Sequence, residues 1–359
     1  MHSIQSNGYQ VEIGSLLESS FRSVLQEFAD EKIVILVDEN TQEHCLSFLI
    51  TNFEELSHAE VLMIPVGEAS KSLEIAGNLW QVMTEFNISR YDLLINLGGG
   101  VVTDLGGFIA SCYKRGVEFI NVPTTLLGMV DASVGGKTGI NLGHYKNQIG
   151  VFSVPRALYV DPIFLETLPE DEMLSGYGEM IKHALVSTKP EMLESILNQM
   201  ESPYDLSEEL LMSGIQVKNE IVSRDPLEKG ERKLLNFGHT VGHAIEGHAM
   251  HRFPLKHGHA IAIGMVFEAY IALRRKLLPQ KDFQRIETAI LSYFSLPEFT
   301  DTAIREMVSL LSNDKKNRSG KILACLPEKV GVCSWDHEIT EQEVMEAFLH
   351  YKNQQINMN

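Results

Sequence analysis

Short, nearly continuous apolar runs alternating with helical periodicity constrain the fold of this chain more than any other feature. Lys32-Ile-Val-Ile-Leu-Val-Asp38 is one such run, and others recur at Val61–Val66, Leu93–Leu97, Phe119–Val122 and Ala157–Val160. A strand reads this way when helices cover both faces of a parallel sheet. Between the second and third runs, Ser72–Phe86 carries apolar residues at helical spacing, with Glu74 in its first turn, where a helix favours an anion. The alternation predicts βαβ units and an α/β fold with an open parallel sheet. Ligands of such sheets bind beyond the carboxyl ends of the strands. Here those ends read Asp38-Glu-Asn40, Gly98-Gly-Gly100 and Pro123-Thr-Thr125.

From about residue 163 the texture changes. Amphipathic stretches run over 169–187, 190–201, 206–223, 233–250, 258–277 and 281–292, and 259–274 is apolar almost all round. The last pattern predicts a buried helix, and the whole predicts a mostly α-helical second domain. With 359 residues there is enough chain for two domains, and a cleft between them is the expected place for cofactor and substrate.

A formal net charge of −18 argues against nucleic acid and anionic membrane surfaces as partners, although a local basic pocket can still hold a small anion. Cys45, Cys112, Cys325 and Cys333 form no CxxC pair, as expected of free thiols in a reducing cytosol. The first residues show neither a basic nor an apolar signal region, and the most apolar stretches are broken by glycines and Asp104. The expectation is a cytoplasmic protein without a membrane span.

Chemistry concentrates in 236–259, which holds His239, His243, His257 and His259 among glycines. One histidine alone would read as a satisfied core side chain. Two at i and i+4 on one helix face, with a third following after a turn, read as ligands for a divalent transition metal. A carboxylate completing the set would leave coordination positions open, the catalytic arrangement. Glu179, in Gly176-Tyr-Gly-Glu179-Met-Ile-Lys182-His183, is the candidate carboxylate; a glutamate favoured by the dipole of a helix start is the bland reading.

Leu97-Gly98-Gly99-Gly100-Val-Val-Thr-Asp104 follows a predicted strand and opens a predicted helix, so its backbone amides could approach a pyrophosphate. A tight turn explains the glycines equally well, since this is not the GxGxxG pattern. Asp38, ending the first strong strand, suits a ribose hydroxyl pair or a simple turn. Asp131, Lys137, Lys146 and Asn147 lie among glycines and small polar residues. Asp131 stands where a P-loop needs its first glycine, which excludes nucleoside triphosphate hydrolysis. The lysines more plausibly grip a phosphate or carboxylate. Lys218, Arg232 and Asn236 lead into the histidine segment, and Asp314-Lys315-Lys316 follows much later.

In this order these segments resemble the 3-dehydroquinate synthase family of sugar-phosphate cyclases. The matching pieces are Gly-Gly-Gly-Val-Val-Thr-Asp, Pro-Thr-Thr-Leu-Leu, Val-Asp-Ala-Ser-Val-Gly-Gly-Lys-Thr, Gly-Glu-Met-Ile-Lys-His and Leu-Asn-Phe-Gly-His-Thr-Val-Gly-His-Ala-Ile-Glu, spread from about Asp38 to Lys316. The resemblance implies an N-terminal Rossmann-like NAD-binding domain over 1–162 and an α-helical metal- and substrate-binding domain over 163–359. It also implies one zinc or cobalt ion per subunit, and a homodimer. The implied metal ligands are Glu179, His239 and His257, which moves His243 into the substrate's proton-transfer network. Implied substrate contacts are Lys137, Lys146, Asn147, Lys182, Lys218, Arg232, Asn236 and Lys316, with Asp131 orienting hydroxyls and Arg115 reaching the phosphate across a dimer interface. The implied NAD set is Asp38, Asn40, Glu68, Lys71, Gly99, Gly100, Asp104, Thr124, Thr125 and Thr167, beside Lys137 and Lys146.

The implied reaction takes 3-deoxy-arabino-heptulosonate 7-phosphate to 3-dehydroquinate by transient oxidation, phosphate elimination, reduction and ring closure. Such a dianionic substrate explains local lysines and arginines in an acidic chain. Sister cyclases that act on sugar phosphates lacking the carboxylate, and metal-dependent polyol dehydrogenases that release NADH, are the alternatives; the basic set speaks against both. One departure stands out: His259 occupies a position where the family commonly has Glu. If 257–259 is helical, residues two apart point about 200° apart, so His257 and His259 cannot both reach one ion. The resemblance assigns His257.

Overall fold

The computed structural model describes residues 1–143, 145–250, 252–253, 255–311 and 321–358. It divides into two compact units, residues 1–173 with 204–223, and residues 174–203 with 224–359. Through the first half run β1 (His2–Gln5), β2 (Gln10–Ile13), α1 (Phe21–Gln26), β3 (Ile33–Asp38), α2 (Glu39–His44), α3 (Leu46–Asn52), β4 (Glu60–Ile64), α4 (Leu73–Glu85), β5 (Leu93–Gly98), α5 (Gly100–Cys112), β6 (Glu118–Pro123), β7 (Lys137–Leu142), β8 (Tyr145–Phe152) and β9 (Ala157–Val160). There follow α6 (Glu170–Val186), α7 (Glu191–Gln199), α8 (Glu208–Arg224), α9 (His239–Ala249), α10 (His257–Arg274), α11 (Gln280–Leu291), α12 (Asp301–Leu311), β10 (Ile322–Lys329), β11 (Val332–Ile339) and α13 (Glu341–Met358).

The first unit is built on a seven-stranded sheet in the order β1-β2-β9-β6-β5-β3-β4. All its ladders are parallel except β1 with β2. The expected apolar runs are its strands: β5 and β9 are buried throughout, and β3 is buried up to Asp38. Ser72 caps α4 by accepting from the Ile75 amide, and Ala76, Leu79 and Met83 form the buried stripe of that helix. The stripe packs into a core with Val34, Leu36, Leu94 and Leu105. Because β5 and β6 pair Gly98 with Pro123, the glycine turn and the Pro-Thr-Thr segment leave the sheet side by side.

The second unit is helical around α10, in which Ala260 through Ala269 are all buried. Phe267 of α10 packs on Phe299, Phe348 and Tyr351 at ring separations of 5.6, 4.6 and 5.1 Å, which fastens α13 to it. Among the described residues this unit also holds an antiparallel hairpin, β10 with β11.

Two expectations are corrected. The stretch 233–250 is not one helix: a 3₁₀ turn over Glu231–Asn236 ends, Gly238 takes φ +79°, and α9 starts at His239. A methylene on Gly238 would meet the Ile261 carbonyl at 2.6 Å, so contact with α10 requires a residue without Cβ there. Glu179 does not stand at a helix start either, where the dipole would favour it; it lies well inside α6, which starts at Glu170.

Candidate functional site

In the second unit, α6, α9 and α10 bring Glu179, His239, His243 and His257 together. Gly258 makes this possible: an added Cβ would meet the Ser175 carbonyl at 1.8 Å. The Gly258 amide donates to the Ser175 hydroxyl at 3.0 Å, so the start of α10 lies directly on α6. Oε1 of the fully buried Glu179 is 3.7 Å from His239 Nε2 and 3.5 Å from His257 Nε2. Ligands at 2.0–2.2 Å on a tetrahedral ion are separated by about 3.3–3.5 Å. Glu179 Oε1 thus lies from each of the two imidazole nitrogens at about the spacing that two ligands of one divalent ion would have.

Each imidazole is oriented from behind. His239 Nδ1 lies 3.2 Å from the Phe237 carbonyl, which selects the tautomer that directs the Nε2 lone pair toward Glu179. His257 Nδ1 lies 3.4 Å from Glu246 Oε1. Burial would lower the His257 pKa, but the Glu246 and Glu179 carboxylates outweigh it and push it up to about 10. The ring of His243 stands 5.2 Å from His239 and 5.9 Å from His257. On geometry alone the three imidazoles could also form a chelate, since each offers a nitrogen within 4.8 Å of the others. His259 turns away, with Nε2 3.1 Å from the Ser295 carbonyl and its ring edge-on to Phe294.

Beside this cluster Lys182 is buried and bonds to Glu179 Oε2. Arg232, also buried, donates to the Pro226 carbonyl at 2.6 Å, and Asn236 donates to Glu228 Oε1 at 2.6 Å. Arg232 and Asn236 lie on the 3₁₀ turn that leads into α9, so these polar side chains precede His239 closely in the chain. Lys316 lies outside the described residues.

The first unit holds the remaining candidates. Gly99 caps the amino end of α5 and Gly100 is its first residue, so the opening amides of a helix face the end of the sheet. Thr125 supports that turn: its hydroxyl accepts from the Gly128 amide at 3.0 Å, and an added Cβ on Gly99 would meet it. Thr124 is buried next to it. Asp38 ends the neighbouring strand and accepts from the Thr41 amide at 2.8 Å as the cap of α2, which carries the exposed Asn40. Lys71 is buried and donates to Asp104 at 2.7 Å and to Asn147 at 2.6 Å. Burial would lower its pKa, but Asp104 and Glu68 hold it above the ordinary value, so the ammonium stays charged. Glu68 accepts from Asn141 at 2.9 Å, tying this network to the β7–β8 hairpin.

Lys137 is the first residue of β7, and Lys146 and Asn147 lie on β8. The lysine-bearing segment, rich in glycines and small polar residues, is therefore an antiparallel hairpin. Asp131 sits on the turn Gly128–Ala132 and pairs with Lys218 of α8 at 2.8 Å. Thr167 is exposed in the turn after β9, remote in sequence from the other nucleotide candidates. Arg115 is exposed and, with Lys114, adopts left-handed backbone at φ +68° and +48°, a strained state that structures keep for a reason. It borders an open groove of about 720 Å³ together with Phe119, Val154 and Arg156.

Two acids of the second unit escaped the sequence reading. Glu268, fully buried on α10, accepts from the amides of Gly238, Thr240 and Val241 at 2.7, 3.0 and 3.1 Å. It stands alone as an acid in the apolar run 260–273, a signal that it must be paired. Glu246 follows His239 and His243 at the helical spacing i, i+4, i+7, which places all three on one face.

Fold and cluster together define a two-unit α/β protein with a candidate site for a divalent metal ion. Models of the 3-dehydroquinate synthase N-terminal and C-terminal regions match residues 61–175 and 176–317, and the chain belongs to the 3-dehydroquinate synthase family. The 3-dehydroquinate synthase of Parabacteroides distasonis is 37% identical over 338 residues, covering 94% of this chain and 96% of that protein. A 2-epi-5-epi-valiolone synthase from Streptomyces hygroscopicus subsp. jinggangensis, solved with NAD⁺ and Zn²⁺, superposes with a TM-score of 0.83 at 25% identity, covering 99% of each chain. A 2-deoxy-scyllo-inosose synthase solved with carbaglucose-6-phosphate, NAD⁺ and Co²⁺ shares the fold, with a TM-score of 0.85 at 23% identity over 97% of this chain and 99% of that one.

Proposed function

We propose that this protein converts 3-deoxy-arabino-heptulosonate 7-phosphate to 3-dehydroquinate and phosphate, using NAD and one divalent metal ion, zinc or cobalt. The observation that carries the proposal is the spacing of Glu179, His239 and His257, which suits one ion with an open position. When bound, NAD supplies reversible hydride removal from the substrate and the metal supplies Lewis acidity at the oxygen concerned. The protein's own part is binding, orientation and proton movement. Buried Lys182 and Arg232 offer fixed positive charge to an acidic sugar phosphate, and Asn236 offers an amide donor. In this reading His243, on the same helix face as His239, carries a proton at its ring nitrogen and does not hold the ion. In the first unit, the α5 amino end and the Lys71–Asp104–Glu68 network suit a dinucleotide.

The substrate class is tested by comparing phosphate release from the carboxylated heptulosonate phosphate with release from a hexose 6-phosphate that lacks the carboxylate. Release from the first alone is expected; preference for the second would make the protein a sister cyclase.

The raised His257 pKa sets a pH dependence. In the metal-free protein this group's protonation adds stability that is full below the unfolded value of about 6.5. That contribution is lost as pH rises through about 10. An incoming ion must displace the same proton, so zinc affinity should tighten by up to about tenfold per pH unit from neutral pH upward. Chelator competition at several pH values measures this, and a flat profile would contradict it.

We also propose a homodimer in which Arg115 serves the partner's site. The strained Lys114–Arg115 turn, the groove beside it, and the exposed Leu142, Tyr145, Phe152 and Val154 support that reading. Arg115→Ala should leave zinc content unchanged and raise the substrate KM by at least about tenfold, the loss of one charge-assisted phosphate contact; an unchanged KM would remove Arg115 from the site. No helix among the described residues is long and apolar enough to cross a membrane. The free thiols support a cytoplasmic location.

A further inference from the structure

We infer that Glu246 is the positioning residue for His257, holding the imidazole with its Nδ1 proton on the carboxylate and its Nε2 turned toward Glu179. The inference rests on the proposed metal site and goes beyond it, because Glu246 is not one of the ligands.

The two ligand imidazoles are supported by different chemistry. Behind His239 stands a neutral acceptor, the Phe237 carbonyl, two residues away on the same strand of backbone. Behind His257 stands the buried side chain of Glu246, 3.4 Å from Nδ1 and carried on the neighbouring helix. His257 is the first residue of α10 and follows a Lys256 cap in extended conformation, with no side-chain capping bond. The partner facing its Nδ1 comes from α9, as the Glu246 carboxylate. A carboxylate does more than a carbonyl in that place. It fixes the tautomer, and its charge makes the opposite nitrogen a stronger donor to a cation. Because α9 carries both His239 and Glu246, one helix presents the first imidazole directly and orients the second through its carboxylate.

Removing a carboxylate from behind a ligand histidine typically weakens metal binding about 10- to 100-fold. We would measure zinc affinity of the apo protein by competition with a chromophoric chelator, and record the visible spectrum of the cobalt-loaded form, for wild type, Glu246→Ala, Glu246→Gln and His257→Ala. Glu246→Ala should bind zinc about 10- to 100-fold more weakly and shift the cobalt absorption bands. Glu246→Gln keeps an oxygen acceptor but not the charge and should recover most, not all, of the affinity. Wild-type affinity and spectrum in both Glu246 variants would overturn the inference, as would equal loss in both, which marks a merely structural role. If the alanine variant fails to fold, glutamine alone decides: severalfold weaker binding supports the role and unchanged binding refutes it. His257→Ala separates the two readings, since zinc retained there would sink the metal site itself.

Discussion

Replacing His257 by alanine is expected to strip the protein of zinc and of turnover, whereas His243→Ala should keep stoichiometric zinc and still lose turnover. The first expectation follows from convergence. His257 Nε2 and His239 Nε2 lie 3.5 and 3.7 Å from Glu179 Oε1, and an ion left with two of three protein ligands is held too weakly to survive dialysis. Affinity should fall by more than the about 100-fold typical of losing a supporting residue. The second expectation separates the two chelates that the geometry permits. His243 has its ring 5.9 Å from that of His257 and serves proton transfer in our account, where removal typically costs about 10²- to 10⁴-fold in rate. Metal analysis after dialysis, beside kcat on the same samples, decides the matter. Zinc lost from His243→Ala and kept in His257→Ala would reverse the assignment.

Glu268→Ala is expected to destabilise the protein by about 3–5 kcal/mol, in the range of large single-residue effects. The amino end of α9 needs an acceptor, because its cap, Gly238, has no side chain. Gly238 cannot be exchanged for a Ser or Asp cap, since its left-handed backbone and its contact with Ile261 exclude a Cβ. Glu268 reaches in from α10 instead and accepts from three amides at once. Truncation leaves those donors buried and unpaired beside His239. Denaturant midpoints for wild type, Glu268→Ala and Glu268→Gln test this, with glutamine expected to lose about half as much, because its amide NH₂ faces N–H donors. A change below about 1 kcal/mol in the alanine variant would show that water or backbone rearrangement replaces the carboxylate.

The parallel sheet was legible because strands covered on both faces leave unbroken apolar runs, and Leu93–Gly98 and Ala157–Val160 appear almost at their expected bounds. Hairpins were not legible. Strand β8 is exposed or half-buried along its length, and β10 contains Pro327 and a shifted register, so neither shows a clean alternation. The histidine spacing revealed α9, but the break at Gly238 is a tertiary effect of Ile261 and Met265 that no local periodicity encodes. Among the site residues, Glu179 was visible as a carboxylate near Lys182, while its approach to both imidazoles depends on the Gly258–Ser175 contact between distant helices. Glu246 and Glu268 were readable in principle, one by its spacing from two histidines and the other by its isolation in an apolar helix.

The most direct test of the central claim is to follow phosphate release and absorbance at 340 nm together, using 3-deoxy-arabino-heptulosonate 7-phosphate and a catalytic amount of NAD⁺. The account predicts many phosphates released per NAD⁺ with no accumulating NADH, abolished by a chelator and restored by zinc. NADH building up in step with turnover would contradict it and make the protein a dehydrogenase.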